Sequence, residues 1–192
     1  MLASNRKTAS LIMNNFAVLT MAALLFCYGI LQPVNAHLMV AQHGTLNFIE
    51  NDVYMVLSLP VSGIENIDEN KDGVVSMIEF NNQRTTITQQ VKKQISMSDQ
   101  HGNIAVESII LSPVIDHHAE EQSLSQVQPL SQITVMGKFT LKSDAEKLTF
   151  HANIFGSSPS KQNLEITAKN KQKAEKHSFV LTPTVSSAQL FE

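Results

Sequence analysis

From Met77 to Ile95 the long apolar or amphipathic side chains return every three or four residues, at Met77, Phe80, Arg84, Ile87, Val91 and Ile95, with Asn, Gln and Thr between them. At 3.6 residues per turn that spacing makes one stripe along one face of a helix, expected from Met77 to about Gln94. Elsewhere after residue 43 the period is two, which suits strands with one buried face. A single one-sided helix must lie on something, and the rest of the chain offers only sheet. The expected fold class is therefore α+β, a β-sandwich-like, mostly antiparallel domain with one long amphipathic helix.

The expected strands begin with a hairpin, Gly44 to Glu50 and Val53 to Leu59, turned at Glu50-Asn51-Asp52 and stopped by Pro60. Gly63 to Ile67 allows a turn or two of helix, with Ser62 as its cap. After the long helix come Ile95 to Ser98, the turn Asp99 to Asn103, and Ile104 to Leu111, ended by Pro113. The stretch from about 113 to 132 is rich in Gln, Ser and Glu, too poor in apolar side chains to repay ordering, and is read as a mobile loop. Gln132 to Leu141, Lys147 to Phe155, Leu164 to Lys169, His177 to Thr182 and an edge segment near Val185 to Phe191 complete the sheet.

Between the hairpin and the helix lies Asp68-Glu69-Asn70-Lys71-Asp72-Gly73-Val74-Val75-Ser76-Met77-Ile78-Glu79, which satisfies D-x-[DN]-x-[DN]-G-x5-E at every specified position. A hard cation such as calcium takes six to eight oxygens, so a chain must wrap it with alternate side chains turned inward. Asp68, Asn70 and Asp72 meet that need. Gly73 permits the sharp turn that brings in the Val74 carbonyl. Ser76 acts directly or through water, and Glu79 supplies two oxygens from the first turn of the helix. Glu69 and Lys71 face outward. Val75 holds the position that pairs in a short β-bridge with a partner loop. An acidic turn that merely caps a helix uses the same residue types, since Asp and Asn are also common turn and cap residues. Turn chemistry accounts for Asp72-Gly73 but not for Asp68, Asn70 and Glu79 falling together on ligand positions.

The first 36 residues read as a secretory signal peptide: Arg6 and Lys7 precede an uncharged apolar run from Phe16 to Leu31, and Val34-Asn35-Ala36 offers a cleavage site after Ala36. The competing reading is a retained anchor, for which the run is short. Residues 37 to 192 then form one β-rich domain, with the calcium-type motif at about 62–95, in the periplasm or secreted. Cys27 lies within the leader, so no disulfide or thiolate site is available to that domain. Loss of Arg6 and Lys7 leaves twelve basic against seventeen acidic residues, which does not suit nucleic acid. The charge is uneven. Glu50 to Glu79 carries seven carboxylates and one lysine, Lys161 to Lys176 five lysines and two glutamates.

The Asp68 to Glu79 stretch with its exit helix resembles the EF-hand superfamily, which implies one calcium ion held by Asp68, Asn70, Asp72, Val74, Ser76 and Glu79. The order of leader, hairpin ending in Val53 to Leu59, loop, amphipathic helix and strands also resembles the exported N-terminal region of HupE/UreJ-like hydrogenase and urease accessory proteins. This sequence departs from them in showing no membrane-spanning helices after Phe191 and Glu192, so a nickel-transport role is not carried over. The leading expectation is a non-catalytic exported calcium-binding protein with a structural ion and an unidentified partner at the cell envelope. The alternative is a periplasmic copper or nickel accessory protein using His37 with His43, or the His117-His118 pair. His101, His151 and His177 have no site-forming spacing. No nucleophile elbow, phosphate loop or zinc-protease signature is present, so an enzyme is not expected.

Overall fold

A computed structural model of the chain describes residues 42–116, 129–142 and 146–191. The expected leader, residues 1–36, and His37, His117 and His118 lie outside them. The described residues form ten strands and one α-helix in two mostly antiparallel sheets, an α+β sandwich-like arrangement.

The strands are β1 (His43–Ile49), β2 (Asp52–Pro60), β3 (Ile95–Asp99), β4 (Gly102–Ala105), β5 (Glu107–Ile115), β6 (Leu130–Thr140), β7 (Thr149–Ala152), β8 (Leu164–Asn170), β9 (Glu175–Leu181) and β10 (Ser187–Gln189). The larger sheet has the order β5-β6-β2-β1-β8-β9 and the smaller β10-β7-β3-β4. The β1–β2 hairpin turns at Glu50 and Asn51 and pairs Leu46 with Met55. The one parallel pair joins β1 to β8. Alternation sends Leu46, Met55, Leu57, Ile133, Val135, Phe139 and Ile166 into the core. Phe150 of the smaller sheet meets Phe139 edge-on at 6.3 Å and Phe179 at 6.5 Å, both from the larger sheet. These rings join the two layers.

Among the described residues the one α-helix, α1 (Met77–Gln94), passes directly into β3, the Ile95 amide still bonded to the Val91 carbonyl. Its buried stripe is Phe80, Ile87 and Val91, continued by Ile95. Met77 and Arg84, expected on the same stripe, are exposed; the Arg84 guanidinium lies 4.8 Å from the Phe80 ring centre and donates to the Leu111 carbonyl at 3.3 Å.

Several expectations need correcting. Ile104 to Leu111 is not one strand. Ile104 pairs with Met97 in the smaller sheet and Leu111 with Val135 in the larger, and the chain crosses between them at buried Val106. An irregular register between Glu107 and Ile110, with Ser108 at φ 51°, accommodates the crossing. Pro113 does not end β5, because β5 is an edge strand where a missing donor is tolerated. The mobile-loop reading fails at both ends: Pro113 to Ile115 and Leu130 to Gln132 are strand, and the Ser58 hydroxyl donates to Gln132 Oε1 in the core. Its middle lies outside the described residues. Ser62 caps nothing; it sits inside a 3-10 turn, Val61–Gly63, preceded by Pro60. Two further expected elements, Lys147 to Phe155 and Val185 to Phe191, shorten to β7 and β10.

Candidate metal centre

The loop from Asp68 to Glu79 is held between three buried anchors, Ile64 and Ile67 before it and Val75 within it. No α-helix enters it. The segment instead runs irregularly from the 3-10 turn, and Gln90 of α1 clamps it by accepting from the Glu65 amide at 3.1 Å and donating to the Glu65 carbonyl at 2.9 Å. The loop leaves through α1, whose N-cap is Ser76. The loop is thus followed by an α-helix and preceded by a 3-10 turn.

Within the loop the side chains at alternate positions fold back on the backbone. Asp68 accepts from the Lys71 amide through Oδ1 at 2.7 Å and from the Gly73 amide through Oδ2 at 2.9 Å. Asn70 Oδ1 accepts from the Asp72 amide at 2.8 Å, and Asp72 Oδ1 from the Val74 amide at 2.8 Å. Asn70 Nδ2 also donates to Asp72 Oδ2 at 2.9 Å. Gly73 takes φ +83° with open space where a Cβ would stand. Lys71, at φ 60°, shares the left-handed region, and its side chain is exposed. Glu69 turns away from the loop centre, as expected, accepting from Asn82 Nδ2 at 3.2 Å and Gln83 Nε2 at 2.6 Å on α1.

Glu79 returns to the start of the loop. Its Oε1 accepts from the Glu69 amide at 3.0 Å and the Asn70 amide at 3.4 Å, and its Oε2 from the Ser76 amide and hydroxyl, both at 2.8 Å. Ser76 Oγ in turn accepts from the Glu79 amide at 3.2 Å, completing a capping box. These contacts, the Ser76 amide foremost and its hydroxyl next, hold the Glu79 carboxyl below its ordinary pKa of 4.5. It is covered by its own loop. An ion bound by both Glu79 oxygens must replace some of these four donors.

Val75, at the loop position that in paired loops forms the bridge, is bonded within the chain. Its carbonyl accepts from the Leu130 amide at 2.8 Å, at the first residue of β6. Sequence reasoning missed this residue, as it missed Gln90, because nothing local marks a contact made 55 positions away.

All six expected ligand residues thus lie on one closed loop, and their oxygens are of the hard type that calcium takes. Among the described residues no group of three or more His, Cys, Asp or Glu side chains is gathered in a metal-binding arrangement. Asp68, Asp72 and Glu79, the three expected ligands of those types, are therefore not drawn together into such a group; their oxygens are turned to the loop's own amides instead. His43 of the alternative site contacts Glu165 at 3.1 Å on the sheet surface. His151 Nε2 shares a hydrogen bond with Ser98 Oγ at 2.8 Å, and His177 stacks on Phe179.

No protein-family model matches the chain, and none of the curated proteins compared with it matches.

Proposed function

We propose that the chain binds one calcium ion, without catalysis, through Asp68, Asn70, Asp72, Val74, Ser76 and Glu79, and that the ion acts structurally. The observation that supports this most is the closure of the loop: Glu79, eleven residues after Asp68, lies against the Glu69 and Asn70 amides, while Asp68 reaches the Gly73 amide across the turn. Those two ties bring the first, third and last ligand positions to one side of a turn that Gly73 makes possible.

A structural ion suits this setting better than a switch. The opening of a calcium sensor moves an entering helix against an exit helix. Here the entering segment is irregular and clamped by Gln90, and Val75 is fastened to β6. The ion would pin the junction of β2, α1 and β6, stabilising the fold because it binds the folded form preferentially.

The capping box favours a second reading, in which Glu79 only caps α1 and the acidic loop is a solvated turn. The two differ in thermal scans. Calcium raises the melting temperature of the first and leaves that of the second where EDTA leaves it.

The signal-peptide reading places the protein in the periplasm or outside the cell, where millimolar calcium suits an isolated loop of modest affinity, about 10⁻⁴ to 10⁻³ M. Fractionation with N-terminal sequencing of the exported chain tests this, with His37 expected as the first residue.

A further inference from the structure

The end of the larger sheet remote from the calcium loop carries a second, chemically opposite feature. Strand β6 connects the two: Leu130 holds the loop at Val75, and ten residues on, roughly 30 Å along an extended strand, Thr140 pairs with Asp52 beside the β1–β2 turn. There a cleft of about 520 Å³ opens beside the β1–β2 and β8–β9 turns, within the usual range for small-molecule sites, about 300–1,000 Å³. Its apolar wall is Phe48, Leu141, Leu148 and Phe191. Phe48 is buried and meets Phe191 edge-on at 5.1 Å. Its rim carries the exposed amines of Lys142, Lys147 and Lys173.

The walls are fastened to one another independently of any ligand. Gln172 Oε1, from the β8–β9 turn, accepts from the Glu50 amide of the β1–β2 turn at 3.2 Å. The Leu141 amide donates to the Asn51 carbonyl at 2.7 Å, and the Leu190 amide to the Leu148 carbonyl at 2.8 Å. Asn170 Oδ1 accepts from the Gln172 and Lys173 amides, both at 3.1 Å, which fixes the turn bearing Lys173. A site built this way loses little entropy on binding.

We propose that this cleft binds a small amphiphilic anion, an unbranched alkyl chain ending in a carboxylate or phosphate. The chain lies on Leu141, Leu148 and Phe191, with Phe48 backing Phe191 from beneath, and the head group meets Lys142, Lys147 and Lys173. Glu50 and Glu146 stand on the same rim, so the three lysines leave it with one positive charge in excess. A purely inorganic anion leaves the apolar wall wet, and a neutral chain leaves the lysines unmatched, so both parts of the ligand are required. Each further buried methylene strengthens binding by up to about fourfold.

The test is a calorimetric titration of the full chain with decanoate, decyl phosphate, decanol, decyltrimethylammonium and inorganic phosphate, with amide shifts followed by NMR. Binding of decanoate or decyl phosphate, with shifts at Leu141, Leu148 and Phe191, supports the proposal, and the tighter of the two assigns a free carboxylate or a lipid-type phosphate as the head group. The exposed-lysine triple variant K142Q/K147Q/K173Q should weaken that binding by about tenfold, whereas the control K92Q/K161Q leaves it unchanged. The proposal is overturned if neither anion binds at millimolar concentration, if decyltrimethylammonium, decanol or phosphate binds as well as decanoate, or if both variants behave alike.

Discussion

Replacing Glu79 by Gln changes one oxygen for one amide nitrogen, and the structure sets what that costs. The carboxylate accepts from four donors, two at each oxygen. An amide presents an acceptor to only one of those pairs and turns its NH2 toward the other. If the Ser76 hydroxyl rotates to accept from that NH2, the net loss is one or two charge-assisted hydrogen bonds near the surface, about 1–2 kcal/mol after allowing for solvent, in line with removal of a helix cap. In EDTA the variant should therefore melt about 2–8 °C lower. Calcium separates capping from coordination. At 10 mM calcium and a Kd of about 10⁻³ to 10⁻⁴ M, linkage gives the unmodified chain about 1.4–2.7 kcal/mol, a rise of about 3–10 °C. The variant, without its bidentate ligand, should rise by less than about 2 °C. Calorimetric melting of both chains in EDTA and in calcium reads all four values. A variant that loses the same stability in both media, beside an unmodified chain indifferent to calcium, refutes the coordination reasoning and leaves the capping box.

Other outcomes follow from the same geometry. Gly73→Ala places a Cβ on a residue at φ +83° and should cost about 1–2 kcal/mol by chemical denaturation, with calcium affinity falling too. Gly137→Ala brings a Cβ to 2.6 Å from a Val106 methyl carbon, between β6 and the crossing point, and should destabilise by about 1–3 kcal/mol. Glu79 and Asp52 both ionise below their ordinary pKa in the folded chain, Glu79 through Ser76 and Asp52 chiefly through its hydrogen bond from Thr140. The unfolded chain therefore takes up these protons first. Their contribution is complete above the ordinary values, 4.5 and 3.8, and is lost as pH falls through the lower folded values. Melting temperature should drop below pH 4.5, and less steeply in Glu79→Gln. The Leu130 amide, bonded to the Val75 carbonyl, should exchange more slowly with deuterium when calcium is added, as read by NMR.

The helix was legible because its information is local. The Phe80, Ile87, Val91 and Ile95 stripe fixes its face, and the expected span from Met77 to about Gln94 matches the helix. The hairpin was legible for the same reason, its turn marked by Glu50 and Asn51. What failed was pairing over distance. Ile104 and Leu111 alternate as one strand does, and only the partners, Met97 and Val135, reveal that they belong to different sheets. Pro113 reads as a stop unless the strand is known to be an edge. Gln132 sits among polar residues and is nevertheless buried, because Ser58, 74 positions earlier, supplies its partner. At the candidate centre the ligand types and spacing were readable from the chain alone. The ties of Val75 to β6 and of Glu65 to Gln90 were not.

The central claim is that the oxygens of Asp68 to Glu79 converge on one hard divalent cation. It is tested most directly by calorimetric titration of the purified chain with calcium and, in parallel, with magnesium at neutral pH. The account predicts one calcium site with a Kd of about 10⁻⁴ to 10⁻³ M and weaker binding of magnesium, which resists the wide coordination that Glu79 offers. No binding heat up to 10 mM calcium, or equal affinity for the two ions, would contradict it.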